Sequence, residues 1–141
     1  MGRTVSIQFT DEQMTRLERE ANRLGQSPVD AAARIIEESL RESEFPRIEF
    51  RDSAAGRQAY LRGTRLTAWM IAYIDRSYDG DIEQTSEHLE IPAPEVQSAL
   101  AYAAAFPDEI AAAISDLDRT PEQLRELIPN LEVFSVNAPA R

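Results

Sequence analysis

The chain of 141 residues contains no cysteine and no lysine, a single histidine and only five glycines. Without cysteine, disulfides and thiolate metal sites are excluded, and this absence fits a cytoplasmic protein. So few glycines leave no glycine-rich phosphate loop and no Gly-x-Ser-x-Gly nucleophile elbow. The one histidine, His88, has no partner at metal-ligand spacing. These absences predict a protein that is not an enzyme and that has no catalytic residues, no metal site and no cofactor.

Long apolar stretches are also missing. No run of about 18 apolar residues could span a bilayer, and the N-terminus lacks the basic and apolar regions of an export signal. We therefore expect a cytoplasmic protein with no membrane partner. The length allows one ordinary domain or two very small ones, and a unit at the lower size limit commonly needs a second subunit to complete its core.

Positive charge is scarce, since fifteen arginines face twenty-five acidic residues, for a net charge of −10. Residues 1–43 hold six arginines against eight acidic residues, and residues 44–141 hold nine against seventeen. The acidic second part fits a basic protein partner, because complementary charge speeds encounter and selects the partner. It fits equally well a solvated surface that only confers solubility.

The first 43 residues begin with a strict alternation of polar and apolar residues from Thr4 to Phe9. That period predicts a strand with one buried face, formed by Val5, Ile7 and Phe9. A lone strand of this length has no partner for its backbone groups. Pairing with the same strand of a second copy would form an antiparallel two-stranded ribbon, so we expect an obligate homodimer.

Two helices follow the predicted strand. Thr10 and Gln13 form a capping box that opens the first helix, and Gly25 ends it. Ser27 caps the second helix, with Pro28 at its first position. Apolar residues recur at helical spacing on both helices, namely Met14, Leu17, Ala21 and Leu24 on the first and Val29, Ala32, Ala33, Ile36 and Leu40 on the second. The order of elements is strand, helix, turn, helix.

This order, over about residues 3–43, resembles the ribbon–helix–helix superfamily of repressors, whose members insert a two-stranded ribbon into the major groove. The resemblance implies that operator DNA is a partner of this chain. It implies that Thr4, Ser6 and Gln8 are the base readers, and all three are residue types that hydrogen-bond base edges. Arg3 would lie near the DNA backbone.

The resemblance also implies a phosphate anchor at the start of the second helix, where the amide groups of Ser27 and Val29 attract an anion. Ser27 has a purely structural alternative as the helix cap. The whole segment has an alternative too, a dimerisation module without DNA binding, which its slight excess of acidic residues favours. The neutral hydrogen-bonding residues on the outer face of the ribbon favour DNA binding instead.

Residues 44–47 are predicted to form a linker, because Pro46 blocks any continuation of the second helix. Alternation predicts two short strands at residues 48–51 and 59–62. A run of seven apolar residues from Ala68 predicts a buried helix. Its expected core residues are Trp69, Met70, Ile71, Tyr73 and Ile74.

Three further helices are predicted from capping boxes and first-turn prolines. The residues that mark their starts are Asp81 with Gln84, Pro92 with Pro94, and Pro107. The second of these helices is expected to bury Val96, Ala99, Leu100 and Ala103. The helices within residues 67–106 have the lengths and turns of a helix–turn–helix unit. Their carboxylates, on Glu83, Glu87, Glu90 and Glu95, would be repelled by phosphate, which argues against DNA reading by this part.

A second group of motifs lies between residues 48 and 106. It consists of Gly56-Arg57, Leu61-Arg62-Gly63-Thr64-Arg65, the helix from Trp69, Asp81-Ile82-Glu83, and Pro94-Glu95-Val96 leading to residues 99–103. These motifs resemble a small antitoxin-type domain found encoded beside PIN-like ribonuclease toxins. After the Arg-Gly-Thr-Arg block that family has a β-branched apolar residue and proline, where this chain has Leu66-Thr67. The resemblance implies a cognate toxin from the adjacent gene, neutralised by direct contact, and autoregulation of the operon.

Three arginines of these motifs, Arg57, Arg62 and Arg65, are candidates for contact with the partner protein or the DNA backbone. Guanidinium groups form bidentate pairs with carboxylate or phosphate. Internal salt bridges with neighbouring acids are an equal alternative for all three.

The last segment, residues 119–141, is predicted to contain a short helix and then a stretch of alternating apolar residues that includes Leu131, Val133 and Phe134. This stretch is a candidate to add to a sheet edge of the toxin or to fill its groove. An arm that packs on its own subunit or on its dimer mate is the alternative.

The sequence thus predicts a mainly α protein. A ribbon–helix–helix unit with a dimeric two-stranded ribbon (1–43) precedes a small β-hairpin with a helix–turn–helix-like helical domain (48–118) and a partner-binding tail (119–141). The predicted function is that of the antitoxin of a type II toxin–antitoxin pair, which also represses its own operon. The alternative is a stand-alone ribbon–helix–helix transcription regulator whose second part serves oligomerisation or ligand sensing.

Overall fold

The computed structural model describes residues 2–116. The tail predicted over residues 119–141, with Leu131, Val133 and Phe134, lies outside the described residues. The described part is mainly α, as predicted, with six helices and one two-stranded antiparallel sheet. In chain order its elements are α1 (Asp11–Arg23), α2 (Pro28–Glu44), β1 (Ile48–Ser53), β2 (Gly56–Leu61), α3 (Ala68–Ser77), α4 (Ile82–Leu89), α5 (Ala93–Ala105) and α6 (Pro107–Ser115). The chain divides into two compact units between Ser43 and Glu44.

Both helices of the first unit begin where the sequence predicts. At α1 the Gln13 N–H donates to Thr10 Oγ1 at 3.1 Å and the Thr10 N–H donates to Gln13 Oε1 at 2.9 Å, which completes the capping box. At α2 the Asp30 N–H donates to Ser27 Oγ at 3.1 Å. Gly25 turns the chain between the helices at a φ of +66°, a left-handed conformation that favours glycine. The predicted caps are confirmed.

Residues 2–10 form neither a helix nor a strand in the single chain, and they are exposed throughout. The strand predicted at residues 4–9 is therefore not seen. A strand exists through its ladder of hydrogen bonds to a neighbour, and within residues 2–116 the ladder pairs only β1 with β2. That a second copy supplies the neighbour stays a prediction.

The second unit opens with the β1–β2 hairpin. Its register pairs Ile48 with Leu61 at one end and Ser53 with Gly56 at the other, so both strands reach further toward the turn than the alternation predicted. Gly56 has a φ of +100°, which favours glycine at the end of a tight turn. A single bridge from Tyr60 to Thr67 continues the pairing beyond β2, and it brings the chain back to the start of α3.

Helix α3 is the centre of the second unit. It packs against β2, α4, α5 and α6, and its start is capped by Thr67 Oγ1, which accepts from the Met70 N–H at 3.2 Å. Six of its ten residues are buried: Ala68, Trp69, Met70, Ile71, Ala72 and Ile74. The predicted buried helix is confirmed, although Tyr73 is only half-buried.

Helix α5 buries a residue that its periodicity did not single out. Val96 and Ala99 are buried as predicted, whereas Leu100 and Ala103 are half-buried. Tyr102 is instead fully buried. Its ring centroid lies 4.8 Å from that of Phe106 and 5.4 Å from that of Phe45. Phe106 is at the end of the same helix, but Phe45 and Phe50 come from other parts of the chain, which explains why helical spacing alone misplaced this part of the core.

The segment predicted as a linker is anchored on the second unit. Helix α2 runs through Glu44, one residue into the predicted linker. Phe45 packs on Tyr102, and Arg47 Nη2 forms an ion pair with Glu95 Oε1 at 2.8 Å. The Glu95 carboxylate raises the pKa of Arg47 above its usual range by accepting this hydrogen bond. Pro46 does end the helix, but the residues around it contribute to the fold of the second unit.

No helix within residues 2–116 is long and apolar enough to cross a membrane.

Candidate nucleic-acid and partner interfaces

The first unit leaves its large apolar side chains uncovered. Within residues 2–116 all the exposed large apolar side chains belong to this unit, and they are Val5, Ile7, Phe9, Met14, Val29, Ile35, Ile36 and Leu40. Its buried residues are the two small ones Ala21 and Ala31. Most of the stripe predicted on α2 is part of the exposed set. A unit of this size cannot be stable with two buried alanines as its core, so another surface must cover these side chains.

Polar contacts join the two helices of the first unit. Arg34 on α2 reaches back to the end of α1, where its Nη2 donates to Glu20 Oε2 at 3.2 Å, and its Nε donates to Gln26 Oε1 at 3.0 Å. Glu20 also accepts from Arg23 Nη2 at 2.6 Å. The hydrogen bond from Arg23, helped by Arg34, holds the pKa of Glu20 below its usual range, although partial burial opposes this shift.

The lowered pKa of Glu20 predicts a pH dependence. A carboxyl whose folded-state pKa lies below its unfolded value stabilises the fold above the unfolded pKa, and that contribution is lost as the pH falls through the folded pKa. We expect Glu20→Gln to destabilise the chain at neutral pH by at most about 1 kcal/mol, the size of an exposed ion pair. The difference from wild type should vanish in acid.

Thermal unfolding of wild type and Glu20→Gln, followed by circular dichroism at several pH values from neutral down to about pH 2, measures this difference. Glu18→Gln is the matched control, because Glu18 is an exposed glutamate of the same helix with no ion pair to any described residue. A difference between wild type and Glu20→Gln that stays constant across this range would contradict the prediction.

The predicted base readers lie in the exposed segment before α1. Arg3, Thr4, Ser6 and Gln8 are all exposed, and none of them makes a hydrogen bond or an ion pair with a described residue. The side chains between them include Val5 and Ile7, which are 80% and 55% exposed. The segment therefore exposes both its polar and its apolar side chains in the single chain. That the two sets face different partners stays a prediction.

The predicted phosphate anchor is at the exposed start of α2. Ser27 and Val29 are both exposed there. Ser27 Oγ is occupied in capping the helix, so the structural alternative for this side chain is confirmed. Anion binding by the backbone amides of Ser27 and Val29 stays a prediction.

Two of the three predicted partner-binding arginines have internal partners. Arg62 donates to three oxygens, those of the Pro46 carbonyl at 3.0 Å, the Ile48 carbonyl at 3.1 Å and the Glu49 carboxylate at 3.3 Å. Arg57 Nη1 pairs with Asp52 Oδ1 at 3.0 Å. Both side chains therefore make internal contacts, which is the alternative to contact with a partner. Through its bonds, Arg62 in the loop after the hairpin binds residues 46–49 at the start of the hairpin.

Arg65 differs from the other two. It is exposed and has no hydrogen-bond or ion-pair partner among the described residues. The loop that carries it is rigid, because the Leu61 N–H donates to the Leu66 carbonyl at 2.8 Å, and Thr64 Oγ1 accepts from the Leu66 N–H at 3.0 Å. Gly63 takes a φ of +79°, which favours glycine at that position. The Arg-Gly-Thr-Arg block thus anchors its first arginine and presents its second.

Leu66 and Thr67, which follow this block, are well packed in the single chain. Leu66 is 7% exposed and Thr67 is fully buried. Thr67 caps α3 through its hydroxyl group, and a proline at this position has no hydroxyl with which to make this cap. The departure from the family pattern is therefore compatible with an ordered loop.

The acidic side chains of α4 and α5 give these helices a negative surface. Glu83, Glu87 and Glu90 are exposed, and Glu95 at the start of α5 is already paired with Arg47. Phosphate is repelled by such a surface. That this helical part does not read DNA stays a prediction.

The described residues contain no cluster of three histidine, aspartate or glutamate side chains that could hold a metal ion. The single histidine, His88, is half-buried, and its Nδ1 lies 2.8 Å from the hydroxyl group of Tyr78. The Tyr78 and His88 rings pack edge to face with centroids 5.6 Å apart. This histidine joins α4 to the end of α3 and has a structural role.

Comparison with protein-family models, with curated proteins and with solved structures found no match to this chain.

Proposed function

We propose that this protein is a homodimeric DNA-binding antitoxin that represses its own operon and neutralises a PIN-like ribonuclease toxin encoded by the adjacent gene. One observation carries the proposal: the large apolar side chains that are exposed in the described chain all belong to residues 5–40. A second copy of the same unit covers such a surface most directly, because the two strands and the two apolar stripes then pair with their equivalents.

DNA binding follows from the geometry of that dimer. Residues 4–9 of the two copies form the antiparallel ribbon, with Val5, Ile7 and Phe9 facing the helices. Thr4, Ser6 and Gln8 then lie on the outer face, where a two-stranded ribbon enters the major groove. These polar side chains have no internal partners among the described residues, which supports their availability for bases.

The second unit supplies the contact with the toxin. It has its own core, centred on α3 and α5, and between residues 44 and 116 it exposes no large apolar side chain. The first unit has no sufficient core of its own, which fits a role in dimerisation. The second unit has a complete core, which fits a separate role in binding the partner. In this proposal the second unit covers the acidic, metal-binding cleft of the ribonuclease.

A stand-alone regulator with a ligand-sensing second unit is the competing function, and one cavity favours it. This cavity has a volume of about 390 Å³ and is lined by Gln58, Trp69 and Glu109 among others. Pockets of this size can take a small molecule with a few polar groups. Trp69 is the only tryptophan of the chain, so a ligand that enters the cavity is expected to change the intrinsic fluorescence.

Co-expression of the full chain with the product of the neighbouring open reading frame tests the antitoxin function. The readouts are growth and affinity capture. A neighbour that arrests growth when expressed alone, and that is captured and silenced by this chain, supports the proposal. A harmless neighbour that is not captured would leave the stand-alone regulator as the better description.

Replacing Ser6 and Gln8 together by alanine is expected to weaken operator binding at least about a hundredfold, because each specific base contact contributes about 1–3 kcal/mol and the dimer loses both from two chains. A mobility-shift titration with the promoter fragment upstream of the gene measures this loss. Gln97→Ala, which changes an exposed glutamine of α5, is the control and should bind as wild type does. Capture of the neighbouring product should be unchanged; normal operator binding by the double variant would refute the assignment of the ribbon.

A further inference from the structure

Charge in the second unit is divided between two regions. Residues 44–116 contain six arginines and thirteen acidic residues. Five of the six arginines lie between residues 47 and 65, whereas ten of the thirteen acidic residues follow residue 65. The hairpin and the loop after it are therefore a basic region of an acidic unit, and this asymmetry favours an acidic partner at the hairpin.

A groove with an apolar floor lies beside this loop. Its volume is about 600 Å³, and its lining includes the apolar side chains of Leu66, Leu89 and Ile91. Arg51 and Arg65 lie at the same groove. Leu66 and Leu89 are almost fully buried, so the floor is part of the core and is held in place. We call this site, defined by these five residues, the arginine groove.

The two arginines of the arginine groove differ in how they are held. Arg51 is fixed: its guanidinium carbon lies 4.1 Å from the centroid of the Tyr60 ring, and its Nη2 donates to the Thr64 carbonyl oxygen. Its Nε lies 3.0 Å from Glu49 Oε2, but without the alignment of a hydrogen bond. Arg65 has no partner among the described residues. One guanidinium is thus preorganised and the other is available, both next to an apolar surface.

We propose that the arginine groove is the surface that binds the toxin, and that it takes a segment carrying a carboxylate beside an apolar side chain. This inference rests on the proposed function and names the surface through which it acts. A guanidinium pairs bidentately with a carboxylate, and the apolar floor desolvates the pair and receives the neighbouring side chain. A DNA backbone fits less well, because its phosphates carry no apolar side chain that could fill the apolar floor.

Charge reversal at the available arginine tests this surface. The full chain is co-expressed with the product of the neighbouring open reading frame, and capture is compared between wild type, Arg65→Glu and Arg76→Glu. Arg76 is the matched control, since it is an exposed arginine of the same unit with no side-chain partner among the described residues, and it does not line the groove. We expect Arg65→Glu to weaken capture at least about tenfold and Arg76→Glu to leave it within about twofold of wild type.

Ile91→Asp places a carboxylate on the floor of the arginine groove and is expected to weaken capture to a similar extent. The unfolding temperature of each variant is measured, so that a loss of capture is compared only between folded chains. If Arg65→Glu captures the product as tightly as wild type does, the inference is overturned and the proposed function stands. A wild-type chain that captures nothing overturns both. Weaker operator binding by Arg65→Glu with normal capture overturns it too, because the contact is then with DNA.

Discussion

Replacing Ile36 by aspartate is expected to convert the dimer into a monomer and to abolish operator binding. Ile36 is 45% exposed in the single chain and lies in the apolar stripe of α2. Burying such a side chain contributes about 1.5–3 kcal/mol, and an unpaired carboxylate placed in its position adds several kcal/mol of desolvation cost. A loss of about 4 kcal/mol weakens association about a thousandfold, the largest functional effect that we expect from one substitution in the first unit.

Analytical ultracentrifugation over a range of concentrations measures the change in association. Asn22→Asp is the matched control, because it adds the same charge to an exposed polar position of α1, away from the apolar residues of that helix. The control should remain dimeric. An Ile36→Asp chain that sediments as wild type does would show that the apolar stripe of α2 is not covered by a second copy, and the ribbon would lose its structural basis.

Replacing Tyr102 by alanine is expected to give the largest loss of stability in the second unit, about 3–5 kcal/mol. Tyr102 is fully buried, and the rings of Phe45, Phe50 and Phe106 surround it with centroids 4.8–6.3 Å away. Removing the ring leaves a cavity that three aromatic side chains from different elements cannot fill together. A small domain has only about 5–15 kcal/mol of stability in total, so a large part of it would be lost.

Urea unfolding followed by the fluorescence of Trp69, the only tryptophan of the chain, reports on this unit specifically. Tyr102→Phe is the control: it keeps the ring and removes the hydroxyl group, which donates to Glu109 Oε2 at 2.8 Å. We expect this variant to lose about 1 kcal/mol. Equal unfolding midpoints for wild type and Tyr102→Ala would contradict the central position of Tyr102 in the core.

Short-range signals in the sequence predicted most of the secondary structure. The helix starts at Thr10, Ser27, Thr67 and Asp81 are all confirmed, and in each the capping hydrogen bond joins residues three positions apart. Such contacts form within one turn of the chain and need no other part of the protein. The hairpin was predicted from alternation for the same reason, although its ladder extends further toward the turn.

Longer-range features were predicted less well. The linker at residues 44–47 and the core residues of α5 were misjudged together, because Phe45 and Tyr102 pack on each other across 57 positions of sequence. Hydrophobic periodicity is evaluated within one helix, so it does not detect packing against an aromatic side chain that is distant in sequence. The strand predicted at residues 4–9 is not formed in the single chain, and its pairing with a second copy stays a prediction.

For the candidate interfaces, residue types and their spacing predicted the polar and apolar alternation of residues 4–9, the apolar stripe of α2 and three candidate arginines, Arg57, Arg62 and Arg65. The fold then distinguished these three arginines from one another. Arg62 is held by oxygens 13 to 16 positions away, which the hairpin register brings within reach. Arg65, which follows the turn at Gly63 and Thr64, is exposed and has no hydrogen-bond or ion-pair partner among the described residues. Whether a side chain is available to a partner depends on which groups, distant in sequence, the fold places beside it. Residue type and spacing do not specify those groups.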